Sequence, residues 1–158
     1  VLLSHSDFGV KNRSENAKNS ISNLLKLGAI PIINENDSIS TEEILNGDND
    51  RLSGKVATLL NSKKLFILTD QNGLYDKNPD QNSDARLIGK INLNKFDFKK
   101  VSFGNSGILG RGGMTTKIKA ARDFLNKTNE VWILNGNHKR ILEKVIHKKP
   151  LGTKIYLA

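Results

Sequence analysis

Four short segments of this chain carry residue types that could do chemistry. Gly47, Asp48, Asn49 and Asp50 stand directly before a run in which Leu52, Val56, Leu59 and Leu60 have helical spacing. Capping that helix needs one short polar side chain, so the other two are available to a ligand. Asn34, Glu35, Asn36 and Asp37 repeat the same chemistry after another apolar run. Carboxylates accept from an ammonium group and amide N–H groups donate to a carboxylate, so the mixture suits a zwitterionic ligand. An Asx-rich turn has the same composition. Thr69 and Asp70 close a third apolar run and are followed by Asn72-Gly73, a strong turn signal. The fourth segment, GRGGMTTK at 110–117, places three glycines ahead of a helix that holds Lys117 in its first turns. Gly112 and Gly113 allow close backbone approach, and helix-start N–H groups attract anions. The order differs from the Walker pattern, in which lysine directly follows the last glycine. A phosphate cradle and a flexible hinge before an amphipathic helix both fit.

These segments need elements to hold them. Five apolar runs, at 1–3, 29–33, 64–69, 131–134 and 154–158, are short, nearly continuous and rich in branched or aromatic residues. That is the signature of strands buried on both faces. Between them, Ala17, Ile21, Leu24 and Leu25 share a helical face, with Gly28 as the stop. Ile118, Ala121 and Leu125 form another such face, as do Ile141, Leu142, Val145 and Ile146. Alternating strands and helices predict a mainly parallel sheet sandwiched by helices, with ligands beyond the strands' carboxyl ends. The polar segments after the second, third and fourth runs, the last being Asn135-Gly136-Asn137, are therefore the places to search. Positions 76–105 are polar and weakly periodic, and read as an excursion with a short hairpin and a helix outside the core.

The totals exclude several classes. The 158 residues suffice for one domain with a proper core. Without cysteine there is no disulfide framework, thiolate zinc site or cysteine nucleophile. His5, His138 and His147 are too scattered to suggest a histidine metal site. No run approaches the ~18 apolar residues of a membrane span, and no signal peptide is visible, so a cytoplasmic protein is expected. The net charge of +9 raises the question of nucleic acid. Against it, lysines are spread along the chain and aromatics make up only 6%, too few for base-stacking surfaces. A site for an anionic small molecule suits the charge equally. The chain opens on Val1-Leu2-Leu3, which reads as the interior of a strand, so it is expected to be the C-terminal part of a longer protein.

PIINEND at 31–37, GDNDRLS at 47–53, LTDQNGLYDKNP at 68–79 and GRGGMTTKIKAA at 110–121 occur in an order and spacing that resemble the amino acid kinase family. Within it, they are most similar to the members that phosphorylate L-glutamate. The resemblance covers essentially the whole chain. It implies a three-layer α/β/α sandwich with a mainly parallel sheet. It also implies transfer from ATP, with Mg²⁺, to L-glutamate, giving γ-glutamyl phosphate in the first step toward proline. Carried over residue by residue, it assigns glutamate to Asp37 and Asn49, with Asn34 and Asp48 nearby. The nucleotide falls to Thr69 and Asp70 and to Arg111, Gly112, Gly113, Met114, Thr115, Thr116 and Lys117. Lys117 becomes a catalytic lysine and Asp50 the organiser of the catalytic lysines. Proline feedback and a homo-oligomer are further implications, with no nucleic acid or membrane partner.

Departures from the family pattern matter as well. Residues 1–158 lack the family's N-terminal portion, with its glycine-rich phosphate loop, first catalytic lysine and glutamate-contacting serine, so they are expected to form a partial kinase domain. They also lack the RNA-modification-like domain of some bacterial members. Arg111 stands where many bacterial members have threonine. The GRGGM form is similar to the kinase half of bifunctional pyrroline-carboxylate synthases, whereas the short interval between PIINEND and GDND is closer to the bacterial enzymes. A sister kinase acting on another amino acid, carbamate or a nucleotide, a catalytically dead remnant and a basic nucleic-acid-binding module are the competing readings.

Overall fold

In the computed structural model, which describes residues 1–36, 49–97, 113–147 and 151–158, four of the five apolar runs supply strands of two sheets. The elements in chain order are β1 (Leu2–Leu3), α1 (His5–Gly9), α2 (Lys11–Lys26), β2 (Asn34–Glu35), α3 (Asn49–Leu59), β3 (Lys64–Thr69), β4 (Lys90–Asn92), α4 (Met114–Phe124), β5 (Glu130–Asn135), α5 (Ile141–Ile146) and β6 (Thr153–Tyr156). β1 and β2 form a parallel pair. The larger sheet has the order β3-β5-β6-β4. β3 runs parallel to β5 along its whole length, with Leu65 opposite Val131 and Ile67 opposite Ile133. β4 is parallel to β6, while β5 and β6 are antiparallel.

The near-continuous apolar runs are explained by burial on both faces of this sheet. Leu65, Ile67, Val131, Ile133 and Ile155 face one side, where Ile118, Ala121 and Phe124 of α4 complete the main core. Phe66, Trp132 and Leu134 face the other side, where Ile141 and Val145 of α5 cover them. Helix, sheet and helix thus make three layers, as expected. A smaller core of Leu3, Ile21 and Leu52 joins β1, α2 and α3. Gly28, just past α2, has φ +77°, the left-handed conformation of a helix stop.

Two expectations are corrected. The strand predicted over 29–33 is displaced, and pairing begins only at Asn34 and Glu35. Pro31 has no N–H for a ladder, and Ile30 and Ile32 are 89% and 84% exposed. The excursion after β3 is also less peripheral than its polarity suggests. Tyr75 bridges Leu87, and residues 90–92 then enter the main sheet as β4. Ile91 and Leu74 are buried in the main core. A single apolar residue per two or three polar ones is too sparse to register as a periodic signal. No helix forms between residues 76 and 97, and positions 98–105 lie outside the described residues.

Candidate functional site

α3 and α4 pack side by side, and their close approach is set at Gly54. A Cβ built there would stand 2.9 Å from the carbonyl oxygen of Ala120. Four residues earlier on each helix, the first turns meet. The Lys117 ammonium donates to Asp50 Oδ2 at 2.9 Å. Thr116 Oγ1 lies 2.8 Å from the same oxygen and 2.7 Å from the Gly113 carbonyl. Its one hydroxyl proton can serve only one of these acceptors at a time. Lys117 is buried at 8% exposure, a position a charged lysine occupies only when paired. Asp50 sits in the first turn of α3, where the helix dipole favours a carboxylate. Gly113 precedes α4 in extended backbone and offers no side-chain acceptor to the first-turn amides. Amides at a helix start together with a fixed ammonium can receive an anion such as a phosphate.

A second polar cluster lies at the carboxyl ends of β3 and β5. Thr69 pairs with Asn135, and the Gly136 N–H donates to the Thr69 carbonyl at 2.9 Å. The Thr69 hydroxyl donates to Asp70 Oδ1 at 3.1 Å. Asn72 Oδ1 accepts from Asn135 Nδ2 at 2.9 Å and lies 3.1 Å from His138 Nε2. Asn72 Nδ2 donates to the Tyr75 hydroxyl at 3.3 Å. This is the strand edge at which an α/β sheet takes its ligands. Asn135 lies in a polar segment that its position after a strand already marks, but the bonds that Asn135 and His138 make to Asn72 span 63 and 66 residues and leave no local signal.

The structure therefore brings Asp50, Gly113, Thr116 and Lys117 together, and Thr69 with Asp70. Met114 and Thr115 open α4 beside the first group. Asn34 and Asn49 are exposed at the starts of β2 and α3, two elements in contact. Asn49 also lines a cavity of about 590 Å³ bounded by Ile33, Leu52 and Phe66. Asp37, Asp48, Arg111 and Gly112 lie outside the described residues. Among the described residues, no three His, Asp or Glu side chains gather as a metal site, and no helix is long and apolar enough to cross a membrane.

Comparison with known proteins adds to this geometry. The chain is 40% identical over 153 residues to the glutamate 5-kinase of Hydrogenovibrio crunogenus, covering 97% of the chain and 41% of that protein. With the glutamate 5-kinase of Shewanella pealeana the identity is 42% over 153 residues, with 97% and 41% covered. The chain thus spans about 41% of the length of these curated relatives. Among solved structures, the T. acidophilum isopentenyl phosphate kinase product complex matches with a TM-score of 0.56 at 22% identity, covering 87% of this chain and 52% of that one. UMP kinase from Bacillus anthracis matches with a TM-score of 0.58 at 17% identity, covering 88% and 50%. At these identities the structural likeness shows the fold alone. The model of the amino acid kinase family matches residues 1–135, and the chain belongs to that family.

Proposed function

We propose that the protein transfers the γ-phosphoryl group of ATP to the γ-carboxylate of L-glutamate, releasing ADP and γ-glutamyl phosphate. The observation that carries this reading is 40% identity, across 97% of the chain, to proteins named glutamate 5-kinase. The Lys117–Asp50 pair supplies its chemistry. Phosphoryl transfer needs alignment and positive charge around the moving group rather than covalent help from the protein. Asp50 fixes the Lys117 ammonium so that no reorganisation is needed as charge develops. Arg111, Gly112, Gly113, Met114, Thr115 and Thr116 surround the nucleotide phosphates, and Thr69 and Asp70 contact the nucleotide from the strand edge. Asp37 and Asn49, with Asn34 and Asp48, hold glutamate. Mg²⁺ supplies further positive charge at the phosphates, and the oxygen donors of Thr69 and Asp70 suit a hard cation. Proline biosynthesis, a cytoplasmic location, assembly into a homo-oligomer and inhibition by proline belong to the same reading.

The test measures ADP release by the intact protein with ATP and Mg²⁺, offering glutamate, aspartate, carbamate and UMP as acceptors. Hydroxylamine is included to trap an acyl phosphate as its hydroxamate. Glutamate-dependent ADP release with stoichiometric hydroxamate is expected. Turnover on another acceptor and none on glutamate would overturn the assignment.

A further inference from the structure

Leu74 and Ile88 stand opposite each other across the hairpin whose bridge is Tyr75–Leu87. In an antiparallel pair of this kind the two residues exchange both backbone hydrogen bonds. Here only one is direct: the Ile88 N–H donates to the Leu74 carbonyl at 2.7 Å. The reciprocal link runs through a side chain from β6. The Leu74 N–H donates to Thr153 Oγ1 at 2.7 Å, and that hydroxyl donates to the Ile88 carbonyl at 2.7 Å. Thr153 is fully buried, so no water can substitute for either bond. The loop backbone also passes directly over the hydroxyl. Gly73 has φ +148°, and a Cβ on it would stand 2.6 Å from Thr153 Oγ1.

The consequence falls on residues 70–73. Their N-terminal end is fixed where the Thr69 carbonyl accepts from Gly136, and their C-terminal end where Leu74 meets Thr153. Asp70 and Asn72 project from the span between these anchors. A ligand that meets an ordered loop does not have to supply the ordering entropy itself, and preorganisation of this kind raises affinity without adding a contact.

We propose that Thr153 is a positioning residue for nucleotide binding, its buried hydroxyl holding the 70–73 loop in the conformation that presents Asp70 and Asn72. The proposal rests on the reading that this strand edge receives the nucleotide. Thr153 touches no part of the ligand and acts only through Leu74, Ile88 and the loop.

Thr153→Val keeps the shape and β preference of the side chain and removes both hydrogen bonds, whereas Thr153→Ser keeps the hydroxyl. In the intact protein, the valine variant is expected to raise the KM for ATP on the order of tenfold. The KM for glutamate should stay within about twofold, and serine should restore ATP to the wild-type value. Hydrogen exchange at the Leu74 amide reports the clamp without any ligand. It should accelerate on the order of tenfold or more in the valine variant, while the Val131 and Ile133 amides of β5 stay protected. Thr153→Ala also removes both hydrogen bonds and places less bulk beside Gly73, so it tests the same contact should the valine variant not fold. An unchanged KM for ATP alongside faster exchange at Leu74 would overturn the positioning role. Absence of ATP binding by the unsubstituted protein would overturn the reading of the strand edge, and the proposal with it.

Discussion

Gly54 passes so close to the backbone of Ala120 that α3 and α4 meet backbone to backbone, and this contact sets the distance between Asp50 and Lys117 one turn away. Gly54→Ala forces a methyl group to within 2.9 Å of the Ala120 carbonyl, which belongs to backbone and cannot swing aside. The expected cost is about 1–3 kcal/mol, the usual range for overpacking, read from the urea midpoint at unchanged m-value. Gly89 has nothing within 4 Å of its Cβ position, so Gly89→Ala should stay within about 0.5 kcal/mol. Equal effects of the two substitutions would show that the helices adjust freely at this crossing.

Asp50 and Lys117 should separate stability from chemistry. Their side chains are 15% and 11% exposed, so removing the carboxylate leaves a largely buried ammonium without its counter-charge. Asp50→Ala is expected to destabilise by about 3 kcal/mol, the scale for breaking a buried pair from one side. Lys117→Met fills the space with an apolar chain of similar length and leaves Asp50 its Thr116 hydroxyl. Its effect on stability should be smaller, while turnover with glutamate and ATP falls on the order of a hundredfold or more. Near-normal turnover in that variant would make Lys117 a structural lysine only.

What could be read from the sequence divides along physical lines. β3, β5 and β6 were legible because burial on both faces leaves a continuous apolar run, and α3 and α4 because one-sided burial leaves a 3.6-residue period. β2 was placed too early because hydrophobicity marked 29–33, whereas pairing depends on available N–H groups and begins at Asn34, beyond Pro31. β4 was missed because Ile91 is the sole fully buried residue of a three-residue strand. Asp50 and Lys117 were legible as candidates through the company they keep. That Thr116 shares the same carboxylate oxygen was not, since the meeting depends on a helix crossing 66 residues away in sequence. Thr153 gave no sign at all: a threonine in a strand is ordinary, and its two backbone partners lie 79 and 65 residues distant.

The acceptor side of the site is tested by kinetics that distinguish the two substrates. Asn49 is exposed at the start of α3 and lines the cavity bounded by Ile33, Leu52 and Phe66, so truncating it should do little to folding. Asn49→Ala, and likewise Asp37→Ala, is expected to raise the KM for glutamate on the order of tenfold or more and that for ATP by less than about twofold. Equal shifts in both constants would place these residues outside the glutamate site.

A final prediction concerns acid stability and turns on Glu130, at the opposite end of β5 from the polar cluster. Burial alone would push its carboxyl upward. Hydrogen bonds from Lys154 and Trp132, with the charges of Lys154 and Lys64, outweigh that and hold it below the ordinary glutamate value of 4.5. The contacts are close: Trp132 Nε1 donates to Oε1 at 3.0 Å, Lys64 lies 3.5 Å from the same oxygen, and Lys154 engages Oε2. A carboxyl that binds its proton less readily folded than unfolded stabilises the folded state fully above the unfolded value. That contribution fades as pH falls from 4.5 through the depressed folded value. Glu130→Gln removes the titration but keeps the side chain's size and one acceptor. It should cost about 1 kcal/mol or less at neutral pH. Below pH 4.5 the stability gap between variant and parent should narrow, because the parent loses what the variant never had. Urea unfolding of both proteins across this range measures the gap directly, and a gap independent of pH would mean that Glu130 is held by packing rather than by its charge.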